Sequence, residues 1–309
     1  MKNNIIPIAF AFDNNLAMPA SVCIYSLLSN ANKDTFYDIY ILHSEDEELN
    51  KIYIEKVVDF FDNSKVSYRK VGDSFKKSYE IRGITTPAYY RLLIPELIPE
   101  YDKIIYSDVD IIYKQDLWSV YSQDLGNNYI AATYDLSLCL SSDGVKYVRT
   151  LPGLEQGNYI QSGFIILNSF ELRCHDVVSV FKKFSTEKLK YQDQDILNIV
   201  CKDRIKILPY FYNMTVYTFQ LMAENSSQLT YKYKLTTELY NRNNCTIHYN
   251  GQKPWKGVCV NFDVWWEYYR KSPIYDETYY FNYFYNKLNE YDNLSLLKRL
   301  KILIRYFFV

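Results

Sequence analysis

The segment Ser107-Asp108-Val109-Asp110 places two carboxylates one residue apart, directly after the apolar run Ile104-Ile105-Tyr106. A strand ending there puts both at the carboxyl edge of an α/β sheet, where open sheets of this class hold their ligands. Two hard oxygen donors that close suit Mg2+ or Mn2+. Acids after a strand are also common as solvated turn residues, so two further segments matter. Tyr191-Gln192-Asp193-Gln194-Asp195 gathers acids and amides at the start of an expected helix, and capping by Asp193 would leave Gln194 unexplained. His248-Tyr249-Asn250-Gly251-Gln252-Lys253-Pro254-Trp255 sets one of only three histidines before a glycine and a lysine. Gly251 permits close backbone approach to a phosphate, and Lys253 supplies a point charge for it. Asp108, Asp110 and His248 together read as a metal site of two carboxylates and one imidazole.

The elements that must position these groups come from a chain of 309 residues, 48% of them hydrophobic, with a net charge of −1. Enough apolar surface is available for a large core, which excludes disorder. The near-neutral balance argues against nucleic acid as a partner, since such domains carry a basic excess. Tyrosine, at 33 residues, outnumbers Phe and Trp together and suits half-buried strand positions as well as sugar-stacking surfaces. The cysteines at 23, 139, 174, 201, 245 and 259 show no C-x-x-C pair and read as reduced, mostly buried thiols of a cytoplasmic protein. No run of 18 to 20 apolar residues spans a bilayer, and the apolar stretch 5–12 reads as a strand rather than a signal peptide. Four N-x-Ser/Thr matches, at Asn213, Asn225, Asn244 and Asn293, are what chance gives in an Asn-rich chain.

Short apolar runs alternating with amphipathic ones over the first 135 residues predict an α/β fold with a mostly parallel sheet. Strands are expected at 5–12, 37–43, 65–71, 103–106, 129–134 and 163–167, and an apolar pair, Ile111-Ile112, directly follows the acidic turn. Helices are expected at 19–29, 45–61, from Pro87 onward, and at 193–201. The last 60 residues are rich in Trp and Tyr and then become basic and amphipathic. On a helical wheel Leu297, Leu300, Ile304, Phe307 and Phe308 share a face, with Leu296 and Leu303 beside it and Lys298, Lys301 and Arg305 opposite. That pattern suits an interfacial membrane helix, or a terminal helix docked on its own domain.

Taken together, these segments resemble a bacterial member of glycosyltransferase family 8, the retaining galactosyl- and glucosyltransferases of lipopolysaccharide and surface-glycan assembly, with glycogenin a more distant relation. The likeness lies in A-F-D-N-N at 11–15, Y-Y-R-L at 89–92, S-D-V-D at 107–110, Q-S-G at 161–163, Y-Q-D-Q-D at 191–195, H-Y-N-G at 248–251 and K-P-W at 253–255. The stretch 265–277 is also similar to the family's C-terminal segment. The resemblance implies a GT-A-type, Rossmann-like mixed sheet flanked by helices, forming a nucleotide-sugar-binding catalytic domain over 1–255. A smaller helical extension over 256–309 would follow, with peripheral membrane contact through 294–309 on the inner face of the cell membrane.

The resemblance also implies roles. Asp108, Asp110 and His248 would hold Mn2+ (or Mg2+) against the diphosphate of a UDP-hexose. Ala11, Phe12, Asp13 and Asn15 would grip the nucleoside with Val109, while Arg91 and Asp108 would face the sugar and phosphate side. Gly251 and Lys253 would close on the diphosphate. Gln194, Asp193 and Asp135 would line the sugar pocket as the catalytic group, with a glycan or lipid-linked oligosaccharide as acceptor. A neutral amide such as Gln194 is a poor nucleophile, which favours front-side attack, although the carboxylate of Asp193 leaves a covalent route open. Two features depart from the family pattern: Gln161 stands where many relatives have Asn, and one residue rather than two separates Gly251 from Lys253. The competing readings are a sugar-nucleotide- or glycan-binding protein on the same fold, a glycogenin-like self-glucosylating protein, and a phosphotransferase or nucleotidyltransferase. The last would explain the acids but not the distant histidine and K-P-W elements.

Overall fold

Strands of nearly unbroken apolar sequence need cover on both faces, and the computed structural model shows how they obtain it. It describes residues 4–75, 78–79, 86–154, 158–224, 227–236 and 238–307. The strands are β1 (Asn4–Ala11), β2 (Thr35–Ser44), β3 (Ser64–Val71), β4 (Ile104–Ser107), β5 (Ile111–Ile112), β6 (Ile130–Tyr134), β7 (Ile160–Leu167), β8 (Ile205–Ile207), β9 (Met214–Thr215) and β10 (Ile247–His248). Seven of them form one mixed sheet in the order β3-β2-β1-β4-β7-β6-β8. Its β3-β2-β1-β4 half is parallel, and β7 runs antiparallel to both β4 and β6. Helices flank this sheet, as expected of the GT-A class.

A second, three-stranded sheet in the order β5-β10-β9 does the positioning. Each of its strands has two residues, so side-chain burial rather than ladder length must hold it. Its members Ile111, Ile112, Met214, Ile247 and His248 are fully buried. Because β5 begins one residue after Asp110 and β10 ends in His248, pairing Ile111 with His248 brings the two distant motifs together. Tyr249 N then donates to Asp110 O at 2.9 Å. The pairing of Ile247 with Met214 brings Asn213 alongside.

The helix Ala17–Ser29 is buried along almost its whole length and covers one face of the sheet. The helix Phe262–Lys271 adds Trp265 and Trp266 to the same core, with Trp265 stacked on Tyr269 and tilted against Trp255. Three expectations need correction. The helix expected over 45–61 is confined to Ile52–Val58, because Asn14 engages the turn and loop before it: its side chain donates to Glu47 and to Glu48 O and accepts from Asn50 N. The helix from Pro87 is a tight 3-10 helix over Thr86–Leu93. Strand β7 begins at Ile160, three residues earlier than expected, since Asn198 satisfies both the N–H and the C=O of Ile160.

At the C-terminus, helices Glu277–Asp292 and Leu296–Phe307 leave Phe281, Tyr285, Leu288, Leu296, Leu297, Leu300 and Ile304 exposed. The apolar stripe is therefore not docked on the domain at those positions. Phe308 lies outside the described residues, as do the side chains of Leu303, Arg305 and Phe307. No described helix is long and apolar enough to cross a membrane. All six cysteines are free, four of them buried.

Candidate active site

The turn between β4 and β5 carries Asp108 and Asp110 at the carboxyl edge of the main sheet. One oxygen of each, with one imidazole nitrogen of His248, lies within 4.8 Å of the others. Two unit charges that close repel by about 3 to 4 kcal/mol at the effective dielectric of about 20 that describes such sites, so partners are required. Asp108 Oδ1 accepts from Arg91 Nη2 at 2.9 Å and from Tyr106 OH at 2.8 Å. Asp110 Oδ2 is paired with Lys253 Nζ, which also donates to Tyr249 O. Burial opposes the ionised form of Asp110, but the Lys253 ammonium leads the groups that outweigh it and hold the carboxyl well below its usual range.

Arg91 organises the floor. Its guanidinium is almost fully buried, lies over the Tyr106 ring at 4.2 Å, donates to Ser162 O and Ala88 O, and pairs with Asp193 at 3.2 Å. Burial disfavours its charge, yet Asp108 and Asp193 outweigh that and keep it protonated. Asp193 itself accepts from Ser162 Oγ at 3.0 Å. Burial pushes its carboxyl up to about 6, against the pull of Arg91.

Gln194 is oriented at both ends: Oε1 accepts from Ser162 N at 3.0 Å and Nε2 donates to Asp135 Oδ2 at 3.1 Å. Asp135 also caps the helix Leu136–Leu140 through Ser137 N. The entry of the Gln192–Cys201 helix is held by Asp195, whose oxygens accept from Tyr147 and Tyr159 hydroxyls and from Tyr191 N.

These groups divide one cleft into two lobes that meet at Arg91, Asp108, Asp110 and Lys253. The first, of about 390 Å3, is lined by Asp135, Ser137, Gln161, Ser162, Asp193, Gln194 and His248 among others. The second, of about 310 Å3, is lined by Ala11, Phe12, Asp13, Val109, Pro87, Trp255 and Lys256 among others. Sequence reasoning found most of this lining. It missed Leu16, Pro87, Ala88, Ser137 and Lys256, which carry no signal beyond nearness to the motifs, and it gave no role to Ser162, Tyr191, Asn250 and Trp255, which lie within them. Asn15 is exposed and lines neither lobe; its N–H is capped by Asp13. Gly251 is exposed too, with no atom within 4 Å of where a Cβ would stand. Lys253 lines both lobes despite the shortened spacing.

A divalent cation fits this arrangement on three grounds. Asp110 Oδ1 and His248 Nε2 are buried without hydrogen-bond partners, although they lie 3.2 Å apart, and buried polar atoms are seldom left so. The first lobe sets four carboxylates against the two cations Arg91 and Lys253, an excess of two negative charges with His248 neutral. Gly163 leaves open the space above the triad: a Cβ there would stand 2.4 Å from His248 Cε1 and 2.5 Å from Asp108 Oδ2.

Comparison with known proteins places the chain among sugar transferases. The model of glycosyl transferase family 8 matches residues 7–259. A putative glycosyltransferase of Haemophilus influenzae is 29% identical over 67% of this chain, which spans 63% of that relative's length. General stress protein A of Bacillus subtilis is 25% identical over 96% of the chain and 99% of its own length. A lipopolysaccharide 1,2-glucosyltransferase of Escherichia coli is 28% identical over 80% of the chain and 72% of its length. Among solved structures, the galactosyltransferase LgtC in complex with donor and acceptor sugar analogues superposes with a TM-score of 0.74 at 23% identity, over 89% of this chain and 99% of that one. At that identity the likeness concerns the fold.

Two outcomes follow from the geometry. Gly163→Ala is expected to weaken Mn2+ binding by about tenfold or more, in the range found for disturbed metal surroundings, while the protein stays folded; Mn2+ titration by electron paramagnetic resonance checks it. Asp193 supplies a pH test in the absence of metal. A carboxyl raised from 3.8 to about 6 holds its proton longer in the folded than in the unfolded chain. Its contribution to stability is therefore present below about pH 4 and is lost as pH rises toward 6. The stability of Asp193→Asn relative to wild type should accordingly rise over that window in urea unfolding, and a flat or falling difference refutes the assignment.

Proposed function

The chain belongs to glycosyl transferase family 8, and from that premise we propose that it is a retaining hexosyltransferase that moves galactose or glucose from a UDP-sugar to a glycan hydroxyl. The observation that carries this reading is the two-lobed cleft with Asp108, Asp110 and His248 at its waist. A nucleotide sugar has that shape: an aromatic, hydroxylated nucleoside, a doubly charged linker and a hydroxylated ring. The lobe of Ala11, Phe12, Asp13, Val109 and Trp255 takes the uridine. The lobe of Asp135, Gln161, Asp193 and Gln194 takes the hexose, whose hydroxyls such polar side chains bind.

The triad offers two carboxylate oxygens and one nitrogen, a set suited to Mn2+ or Mg2+. Bound there, the ion stabilises negative charge developing on the departing diphosphate. Lys253 and Lys256 add positive charge on the diphosphate side of the waist. Asp193 is already engaged by Arg91 and Ser162, which blunts it as a nucleophile and leaves it to orient sugar hydroxyls. Gln194, pinned between Ser162 and Asp135, presents a neutral amide to the sugar, in keeping with attack by the acceptor on the same face as the leaving group. The exposed apolar stripe of the last two helices, with Lys298 and Lys301, fits an anionic membrane surface that carries a lipid-linked acceptor.

UDP release from a panel of UDP-sugars tests the reading. One sugar is expected to support release with Mn2+, and both EDTA and Asp110→Ala should abolish it. Release that survives either control removes the metal from the chemistry. UDP-sugar binding without release, even with glycan acceptors supplied, makes the protein a binder rather than a transferase. For the membrane contact, the full chain should sediment with vesicles of anionic phospholipid and a chain ending at residue 293 should not, while both release UDP equally; equal sedimentation refutes the role of 294–309.

A further inference from the structure

Hydrogen-bond polarity is forced along one chain of buried side chains, and it ends on the metal site. The chain begins at a backbone N–H, which can only donate: Gly163 N gives its hydrogen to Gln161 Oε1 at 2.6 Å. That contact decides which end of the Gln161 amide is oxygen. The same oxygen accepts from Asn213 Nδ2 at 2.9 Å, and Nδ2 is 3.2 Å from Thr133 Oγ1. The orientation of Asn213 is thereby decided as well, and its Oδ1 faces His248 Nδ1 at 2.8 Å. An amide oxygen only accepts, so Nδ1 of His248 carries a proton, and in the neutral imidazole that a metal ligand must be, Nε2 then has the lone pair. Nε2 is the buried, unpartnered atom that lies 3.2 Å from Asp110 Oδ1 and 3.8 Å from Asp108 Oδ2.

A lone pair aimed at two carboxylates is unfavourable unless a cation stands among them. With the other tautomer, an Nε2–H would donate to the carboxylates and close the site. Water has little chance to relax the arrangement, since Asn213 is 1% exposed, Gln161 6% and His248 fully buried. The placement of Asn213 is a consequence of the small sheet, in which β9 lies beside β10. The other end of the Gln161 amide is turned toward the cleft: Nε2 stands 3.1 Å from where a Cβ of Gly163 would be, on the side where Asp108 and His248 gather.

We infer that Asn213 is a positioning residue for the cation. It holds His248 in the tautomer whose lone pair faces Asp108 and Asp110, and it locks the Gln161 amide so that its NH2 group points into the sugar-side lobe. Asn213 itself touches neither. The inference rests on the cation site proposed above and adds to it a physical link between metal binding and donor-sugar binding.

The test is Mn2+ affinity of the nucleotide-free protein, measured by electron paramagnetic resonance for wild type, Asn213→Ala and Asn213→Asp. Asn213→Ala is expected to lose about 10- to 100-fold in Mn2+ affinity, the usual effect of removing a partner of a ligating histidine. Asn213→Asp keeps an acceptor for Nδ1–H and should stay near wild type in Mn2+ affinity. The same variant presents only oxygen to Gln161 Oε1, so its affinity for intact UDP-sugar should fall relative to that for UDP. Equal Mn2+ affinity in wild type and Asn213→Ala overturns the tautomer role, and an unchanged UDP-sugar to UDP ratio in Asn213→Asp overturns the link to Gln161. If wild type binds no Mn2+, the cation site fails and the inference falls with it, a result distinct from the other two. Nitrogen-15 spectroscopy of the three histidines, with each ring assigned through its own backbone, gives a readout that needs no variant to fold. Because buried His43 also sets Nδ1 against a carbonyl, Ser44 O at 3.0 Å, the expected result is a solvent-protected Nδ1–H on His248 itself, and its absence there overturns the assignment.

Discussion

Like charge forced into one small volume governs this structure. Asp108, Asp110 and Asp193 converge with Asp135 on a single cleft, where only Asp108 has substantial access to solvent. Left alone, such a group would take up protons or drive the cleft open. Arg91 prevents this by touching two of the carboxylates at once and by spending its remaining donors on carbonyls of its own chain. Lys253 neutralises a third. The balance stops short of neutrality, and the shortfall sits where two ligand atoms have no protein partner. The electrostatics of the site thus fit a cation as well as its residue types do.

The fold answers this constraint with two sheets of unequal size. The seven-stranded sheet supplies a rigid edge, in which Asp108 N is bound to Gly163 O at 2.7 Å across the β4–β7 ladder. That single contact sets how near β7 comes to the acidic turn, and a glycine is required at the crossing point. The three-stranded sheet then brings in His248 and Asn213 from residues more than a hundred positions away in sequence. Helix Gln192–Cys201 is seated by Asn198 on β7 and by Asp195 on three donors, and Asp193 and Gln194 at its start line the cleft. Preorganisation of this kind is what electrostatic stabilisation of a transition state asks of a site.

Several of these features were legible in the chain. Asp108-Val109-Asp110 stands out because two carboxylates at a strand end have few structural uses, and His248 because histidine is rare here. The strands β1, β2 and β4 announce themselves by apolar runs bounded by polar turns. The helix over 45–61 misled, since its periodicity is real but Asn14, far away in sequence, competes for the backbone of residues 47–50. Arg91 was expected to face the sugar and phosphate side, and it lines both lobes; that its side chain is also committed to Asp108, Asp193 and two carbonyls is a burden that no local pattern encodes.

By itself the sequence determined the chemical inventory: which carboxylates, imidazole, amides and lysines exist, their order, and the α/β alternation that sends motifs to one sheet edge. Spacing and periodicity carry that information because strands and helices are local. Tertiary structure alone decided the state of each group. The tautomer of His248, the direction of the Gln161 amide, the raised carboxyl of Asp193 and the need for glycine at 163 all depend on atoms contributed by other strands at distances near 3 Å. Asn213 is the clearest case. In the sequence it is one asparagine among many within an N-x-Thr triplet, and only the pairing of β9 with β10 puts its amide against the ring of His248.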